Sequence, residues 1–160
     1  MLFRRGSWDR PPAEPAGVLL ASAGTPFSGA AVRRAHELAA GQPVAVLTIL
    51  KVYGSSFGLP NPGLLPTRRE RDEQYAIVRR AIAAVERRGG TADGQIAATR
   101  SAGRTIAKVA RRRQVRYVVM DDSAPSGLQR VTEGAVTATV RRRLGDGATL
   151  ELVGPGARIS

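Results

Sequence analysis

The sequence predicts an α/β fold, a five-stranded, mostly parallel, doubly wound sheet with helices on both faces. Three observations carry that prediction. Short apolar or β-branched runs alternate with longer segments of helical period, which is the pattern of repeated β-α units. The apolar runs are continuous rather than alternating, as expected of strands covered on both faces. The chain has 160 residues, 42% of them hydrophobic, enough for one domain with a buried core.

Residues 1–16 contain three prolines between Pro11 and Pro15 and read as a flexible tail; residues 17–154 form the domain, and 155–160 a second tail. Val18, Leu19, Leu20 and Ala21 mark the first strand, over 17–22, ending at Ala23-Gly24-Thr25. Ser28 is a candidate N-cap for a helix through Ala40, with Gly41 as its stop. Pro43 introduces the β-branched run 44–52 as the second strand. Residues 53–66 carry three glycines and three prolines and read as a long loop without strand or helix, the kind of segment that is often functional.

The period over 67–88 is that of a surface helix with Tyr75, Ile77, Val78, Ala81, Ile82 and Val85 toward the core and Gly89-Gly90 behind it. Residues 93–100 make the third strand. Ile106, Val109 and Ala110 place a helix over 103–114, where Arg111, Arg112 and Arg113 complement the negative end of the helix dipole. The fourth strand, 115–120, runs into the loop Asp121-Asp122-Ser123-Ala124-Pro125-Ser126-Gly127. A helix follows over about 131–143, then the turn Gly145-Asp146-Gly147 and the fifth strand, 148–153. Ligands of such sheets sit beyond the carboxyl ends of the strands, where the loops at Gly24, Tyr53 and Asp121 gather.

Composition excludes several classes. Without cysteine there are no disulfides or thiolate metal sites, and His36 is the single histidine, set among helix formers. No Ser, His and Asp arrangement is indicated around it, so the expectation is a protein that is not an enzyme and has no catalytic residues. No apolar run is long enough for a membrane span, and the N-terminus lacks a signal-peptide core, so a cytoplasmic location is expected. The net charge of +12, from 25 basic and 13 acidic residues, suits an anionic partner, or it is the solvated surface of an arginine-biased chain.

The fourth strand, the loop after it and the helix that follows have the parts of a phosphate-binding unit, because a helix start offers unpaired amide N–H groups to an anion. Val118-Val119-Met120, Gly127-Leu128 and Gly134-Ala135-Val136-Thr137 with Val140 resemble, in order and spacing, the corresponding motifs of the universal stress protein family. Residues 47–52, Leu-Thr-Ile-Leu-Lys-Val, are similar to its second strand. The resemblance covers about residues 17–153 and implies a Rossmann-like fold related to the adenine nucleotide alpha hydrolases. It also implies a role in stress response, nucleotide binding, and dimers that pair their last strands. By that likeness the cofactor-binding positions are Gly24, Thr25, Val52, Asp121, Asp122, Gly127, Gly134, Ala135, Val136 and Thr137.

The ligand motif of the family is G-x-x-G-x9-G-[ST], and it is degenerate here. Counting back from Gly134, the other two glycines fall on Asp121 and Ala124, and the hydroxyl residue falls on Ala135. The acidic residue that ends the family's first strand is replaced by Ala23. A carboxylate at roughly 4 Å from a phosphate charge, at an effective dielectric near 20, costs about 4 kcal/mol. That is roughly three decades of affinity. Bound Mg²⁺ would reverse the sign by using Asp121 and Asp122 as oxygen ligands. The plainer reading is that the two aspartates form a turn or cap at the strand end, and another ligand or partner is a third.

The leading expectation is therefore a non-catalytic binding or regulatory protein, impaired in ATP binding, with no cofactor required. One alternative keeps ATP or Mg-ATP in a modified site, with Arg130 offsetting the aspartates. Another is an electrostatic binder of nucleic acid or acidic surfaces through Arg33-Arg34, Arg79-Arg80, Arg87-Arg88, Arg111 to Arg113 and Arg141 to Arg143. A homodimer through the last strand, 148–153, and a protein partner complete the expectations.

Overall fold

The computed structural model describes residues 14–52, 55–56, 59–60, 66–122 and 127–154. Its five-stranded sheet is parallel throughout, in the order β5-β2-β1-β6-β7: β1 is Val18–Ser22, β2 Val44–Lys51, β5 Ala92–Thr99, β6 Tyr117–Asp121 and β7 Thr149–Val153. The chain winds outward from β1 through β2 to β5, then returns to β6 and winds the other way to β7. The reversal lies between β1 and β6, where Val18 to Leu20 pair with Tyr117 to Val119. A doubly wound sheet opens its crevice at that point.

Alternation along each strand sends side chains to opposite faces. Leu19 and Ala21 join Leu47, Ile49, Ile106 and Val118 on one face; Val18 and Leu20 join Val46, Val78, Val85 and Val119 on the other. The first cluster is covered by α3 (Ala102–Arg112) and α4 (Gly127–Leu144), the second by α1 (Gly29–Ala39) and α2 (Arg68–Arg87). Helix starts follow local chemistry. The Ser28 hydroxyl accepts from the Ala31 amide, and Thr67 forms a capping box with Glu70. The helix α1 closes on Ala40, which sits at φ 48°, one residue before the expected glycine stop.

Three expectations are corrected. The segment 53–66, read as strandless, contains a two-residue antiparallel pair, β3 (Ser55–Ser56) with β4 (Leu59–Pro60); glycines and prolines that forbid a long strand do not prevent so local a ladder. The other residues of 53–65, the outer tails and loop residues 123–126 lie outside the described residues. Second, α4 begins at Gly127, not near Gly134 or Val131. Gly134 costs a helix interior about 1 kcal/mol relative to alanine, too little to delay the start of a helix of 18 residues.

Third, Arg113 is no surface complement to a helix dipole. It is 2% exposed, and its two terminal nitrogens grip the Asp93 carboxylate at 2.7 and 2.6 Å while Nε donates to the Glu14 carbonyl. The Ala16 amide donates to the Arg113 carbonyl at 2.9 Å, and Ala16 itself is buried. One guanidinium thus joins the end of α3 to β5 and to the chain ahead of β1.

Candidate functional site

At the carboxyl end of β1 the Ser22 hydroxyl turns back on its own loop. It accepts from the amides of Gly24 and Thr25 at 3.2 and 2.9 Å and donates to the Thr25 carbonyl at 2.5 Å. Gly24 sits at φ +111°, and a Cβ there would meet the Ile49 carbonyl at 3.1 Å, so both conformation and space call for glycine. From α2, Gln74 Nε2 donates to the Gly24 carbonyl at 2.9 Å. The loop is closed internally and pinned from the neighbouring helix.

Asp121 ends β6 and faces this loop across the reversal. Its carboxylate accepts from the Ser28 amide at 2.9 Å through one oxygen and from the Ser28 hydroxyl through the other. Because Ser28 also caps α1, the aspartate ties the end of β6 to the start of that helix, and neither of its oxygens is left without a donor. Asp121 thus acts as a cap, as the plainer reading has it, but on α1 rather than on its own turn. Asp122 is exposed and uses its amide to extend the β7 ladder, donating to the Val153 carbonyl at 2.8 Å. No group of three or more metal-ligating side chains occurs among the described residues.

Of the positions marked by the family motif, the fold brings Thr25, Asp121, Val136 and Thr137 together with Ser22 and Met120 around a cleft of about 20 Å³. That is room for about one water molecule. Gly24 lies in the same loop. Gly127 is the first residue of α4, and Gly134 lies two turns into that helix with its carbonyl accepting from the Thr137 hydroxyl at 3.0 Å. The phosphate-offering helix start expected at Gly134 is therefore helix interior, where the amides are spent on the helix ladder. Val52 stands apart beside β5, its amide donating to the Thr99 carbonyl at 3.1 Å.

Ala135 and Val136 also line a second, larger cavity of about 400 Å³ on the α3–α4 side of the sheet. Its basic wall comprises Lys51 at the end of β2, Arg100 after β5, Arg104 in α3 and Arg143 in α4. Among the described residues that line it, none is acidic. Sequence reasoning named Arg143 within a surface cluster but missed the other three, because scattered single cations acquire a common direction only when β2, β5, α3 and α4 converge. Ser22 and Gln74 were missed as well. The serine was legible as the last residue of its strand, whereas nothing in a surface-helix pattern distinguishes a glutamine that reaches a loop 50 residues away.

The arginine clusters do not form one surface. Arg33, Arg34, Arg79, Arg80, Arg87 and Arg88 belong to the α1–α2 layer, and Arg111, Arg112 and Arg141 to Arg143 to the α3–α4 layer. Arg34 is held by Glu151 of β7 in a two-pronged pair at 2.6 and 2.9 Å, and that hydrogen-bonded carboxylate raises the guanidinium pKa further above its ordinary value.

The fold is shared with solved structures of universal stress proteins. One from Archaeoglobus fulgidus has 16% identity and a TM-score of 0.62, over 86% of this chain and 97% of that one. The protein from the same organism in complex with dAMP has 14% identity and a TM-score of 0.57, over 86% and 96% of the two chains. A universal stress protein in complex with cAMP has 19% identity and a TM-score of 0.60, over 88% and 98%. No curated protein matches the chain significantly. The model of the universal stress protein family matches residues 17–144, nearly all of the sheet and its helices, and the chain belongs to that family.

Proposed function

We propose that the protein is a non-catalytic binding or regulatory member of its family in which ATP binding at the family-type seat is impaired. The observation that carries this reading is the engagement of Asp121. A carboxylate stands where the motif has its first glycine, and it is fastened by both oxygens to Ser28 beside a cleft the size of one water. A phosphate entering there meets negative charge and a closed loop rather than open amides. The same engagement disfavours the Mg²⁺-assisted alternative, since a cation would have to share each Asp121 oxygen with a Ser28 donor.

The non-catalytic part has its own support. Ser22 spends its hydroxyl on the loop, and His36 packs against Gly90 near the amino ends of the strands, where an added Cβ on that glycine would meet its Nδ1 at 2.8 Å. Nucleophile and base lie at opposite ends of the sheet. Isothermal titration of nucleotide-stripped protein with ATP, with and without Mg²⁺, is expected to show no micromolar binding. A micromolar dissociation constant that Thr137→Val weakens would overturn the reading.

The reading extends to a homodimer through residues 148–153. β7 is the last strand of the sheet, with one side paired to β6 and the other without a strand partner among the described residues. Leu150 and Leu152 pack on the α3–α4 core while Glu151 points to the opposite face and Arg34, so the strand's register is held from both sides. Sedimentation equilibrium at micromolar concentration is expected to return twice the mass of the chain, 16.9 kDa, and Leu152→Pro to reduce it to one. A monomeric wild type would sink the proposal.

A further inference from the structure

We infer that the end of the α3–α4 layer nearest the amino ends of the strands binds the phosphate backbone of a nucleic-acid duplex, without regard to sequence. Main-chain bonds set its place in the fold. The Ala16 amide donates to the Arg113 carbonyl, the Arg116 amide to the Gly17 carbonyl and the Thr149 amide to the Arg116 carbonyl, which joins the end of α3 to the starts of β1, β6 and β7. The cleft at Asp121 lies at the other, carboxyl end of the strands. Here the last turns of α3 and α4 meet, a terminal nitrogen of Arg111 donating to the Arg143 carbonyl at 3.3 Å. Arg111, Arg116, Arg141, Arg142 and Arg143 are all exposed, and none has an ion pair among the described residues. Of the five, only Arg143 also borders the cavity beside Lys51.

Cations at a helix end ordinarily offset its dipole and cap its last carbonyls. That duty is largely met without these side chains. The amides of Gln114 and Val115 donate to the carbonyls of Arg111 and Ala110, and those of Gly145 and Gly147 to the carbonyls of Arg141 and Leu144. Two helix ends carry about half a negative charge each, and the one exposed carboxylate within 111–116 and 141–147 is Asp146, so the five guanidinium groups exceed this opposition by about three charges. The arginine bias of the chain does not by itself produce such an excess. Six arginines in α2 are interleaved with four acidic residues, Arg69 being paired with Glu73 at 3.2 Å. The other exposed residues of the two basic segments are Gln114, Gly145 and Gly147. They offer no aromatic ring to stack on an unpaired base, and no large apolar side chain to enter a lipid interface or form the dry centre of a protein contact. A duplex backbone needs none of these, because guanidinium groups meet phosphate oxygens with paired N–H donors, a contact that carries no sequence information.

Fluorescence anisotropy of short mixed-sequence DNA and RNA duplexes titrated with the full chain, from about 50 to about 200 mM salt, tests the surface. The backbone chemistry is common to both duplexes, and the one bound more tightly names the source. Micromolar binding is expected at the lower salt, with the logarithm of affinity falling against that of salt at a slope of about −3 to −5, as for three to five phosphates contacted. Arg141→Ala with Arg142→Ala should weaken binding at least about tenfold at the lower salt and make the slope shallower by about 2, and Arg111→Ala with Arg116→Ala should do the same. Arg79→Ala with Arg80→Ala removes equal charge from exposed positions of α2 and should change affinity less than about twofold. Absence of binding at the lower salt, or equal weakening by the α2 variant, would overturn the inference. So would tighter binding, lost in the Arg141→Ala, Arg142→Ala variant, to a single-stranded oligonucleotide or to vesicles of phosphatidylcholine and phosphatidylserine, which would assign the surface to that partner instead. The titration with ATP reads the opposite end of the sheet, so the two readings fail separately.

Discussion

Asp93→Ala is expected to destabilise the fold by about 3–5 kcal/mol, because it strands a guanidinium that has almost no access to water. Arg113 is 2% exposed and the Asp93 side chain 33%, so the two halves of the pair are not equivalent. Arg113→Met fills much of the same volume without a charge and leaves a carboxylate that water can reach, so it should cost less. Combining Arg113→Met with Asp93→Ala should recover part of the loss, since neither charge then remains unpaired. Urea unfolding checks this through midpoints at unchanged slope. Against a typical total stability of about 5–15 kcal/mol, the single Asp93 variant should remove a large share. An Asp93→Ala midpoint within about 1 kcal/mol of wild type would show the pair to be dispensable.

The second large effect is expected at Gly103, where two contributions of opposite sign compete. Replacing a helical glycine with alanine favours the helix by about 1 kcal/mol. An added Cβ would, however, lie 2.7 Å from Thr139 Cβ, 2.8 Å from Thr139 Cγ2 and 3.1 Å from the Val136 carbonyl. Neither Thr139 Cβ nor a helix carbonyl can swing away as a flexible side-chain end does, so α3 and α4 must separate. Overpacking of this kind costs about 1–3 kcal/mol, so Gly103→Ala should lower stability and Gly103→Val should lower it more. Thr139→Gly, itself destabilising, should restore part of the loss in the Gly103→Ala background; a thermal double-mutant cycle measures that coupling. A Gly103→Ala variant that melts higher than wild type would mean that the two helices are not pressed together there.

Elements legible in the sequence were those whose causes are local. Continuous apolar runs at Val18 and Val44 announce strands covered on both faces, and Ser28, Thr67 and Gly89 punctuate helices through their own backbone chemistry. The family likeness was legible for a similar reason, since Gly127-Leu128 and the stretch from Gly134 to Thr137 are short strings with fixed spacing. The same strings showed that two of the three glycines of the ligand motif are replaced, yet they placed the helix start at Gly134, because a motif does not reveal how many turns of helix precede it.

Tertiary structure alone decided what the charges do. Three adjacent arginines at the end of α3 look alike as a string; one is buried against Asp93, one reaches Gln95, and one bonds the carbonyl of Arg143. Asp121 reads as a turn former until the fold sets Ser28, 93 residues away in sequence, against both of its oxygens. Lys51, Arg100, Arg104 and Arg143 acquire a shared cavity only because a doubly wound sheet gathers the ends of β2 and β5 beside α3 and α4. Sequence by itself determined the layers, the order of elements and the altered ligand motif, because hydrophobic period and turn chemistry act over a few residues. Which polar groups are spent on the fold and which remain for a ligand depends on distances between segments far apart in the chain, and those exist only once it has folded.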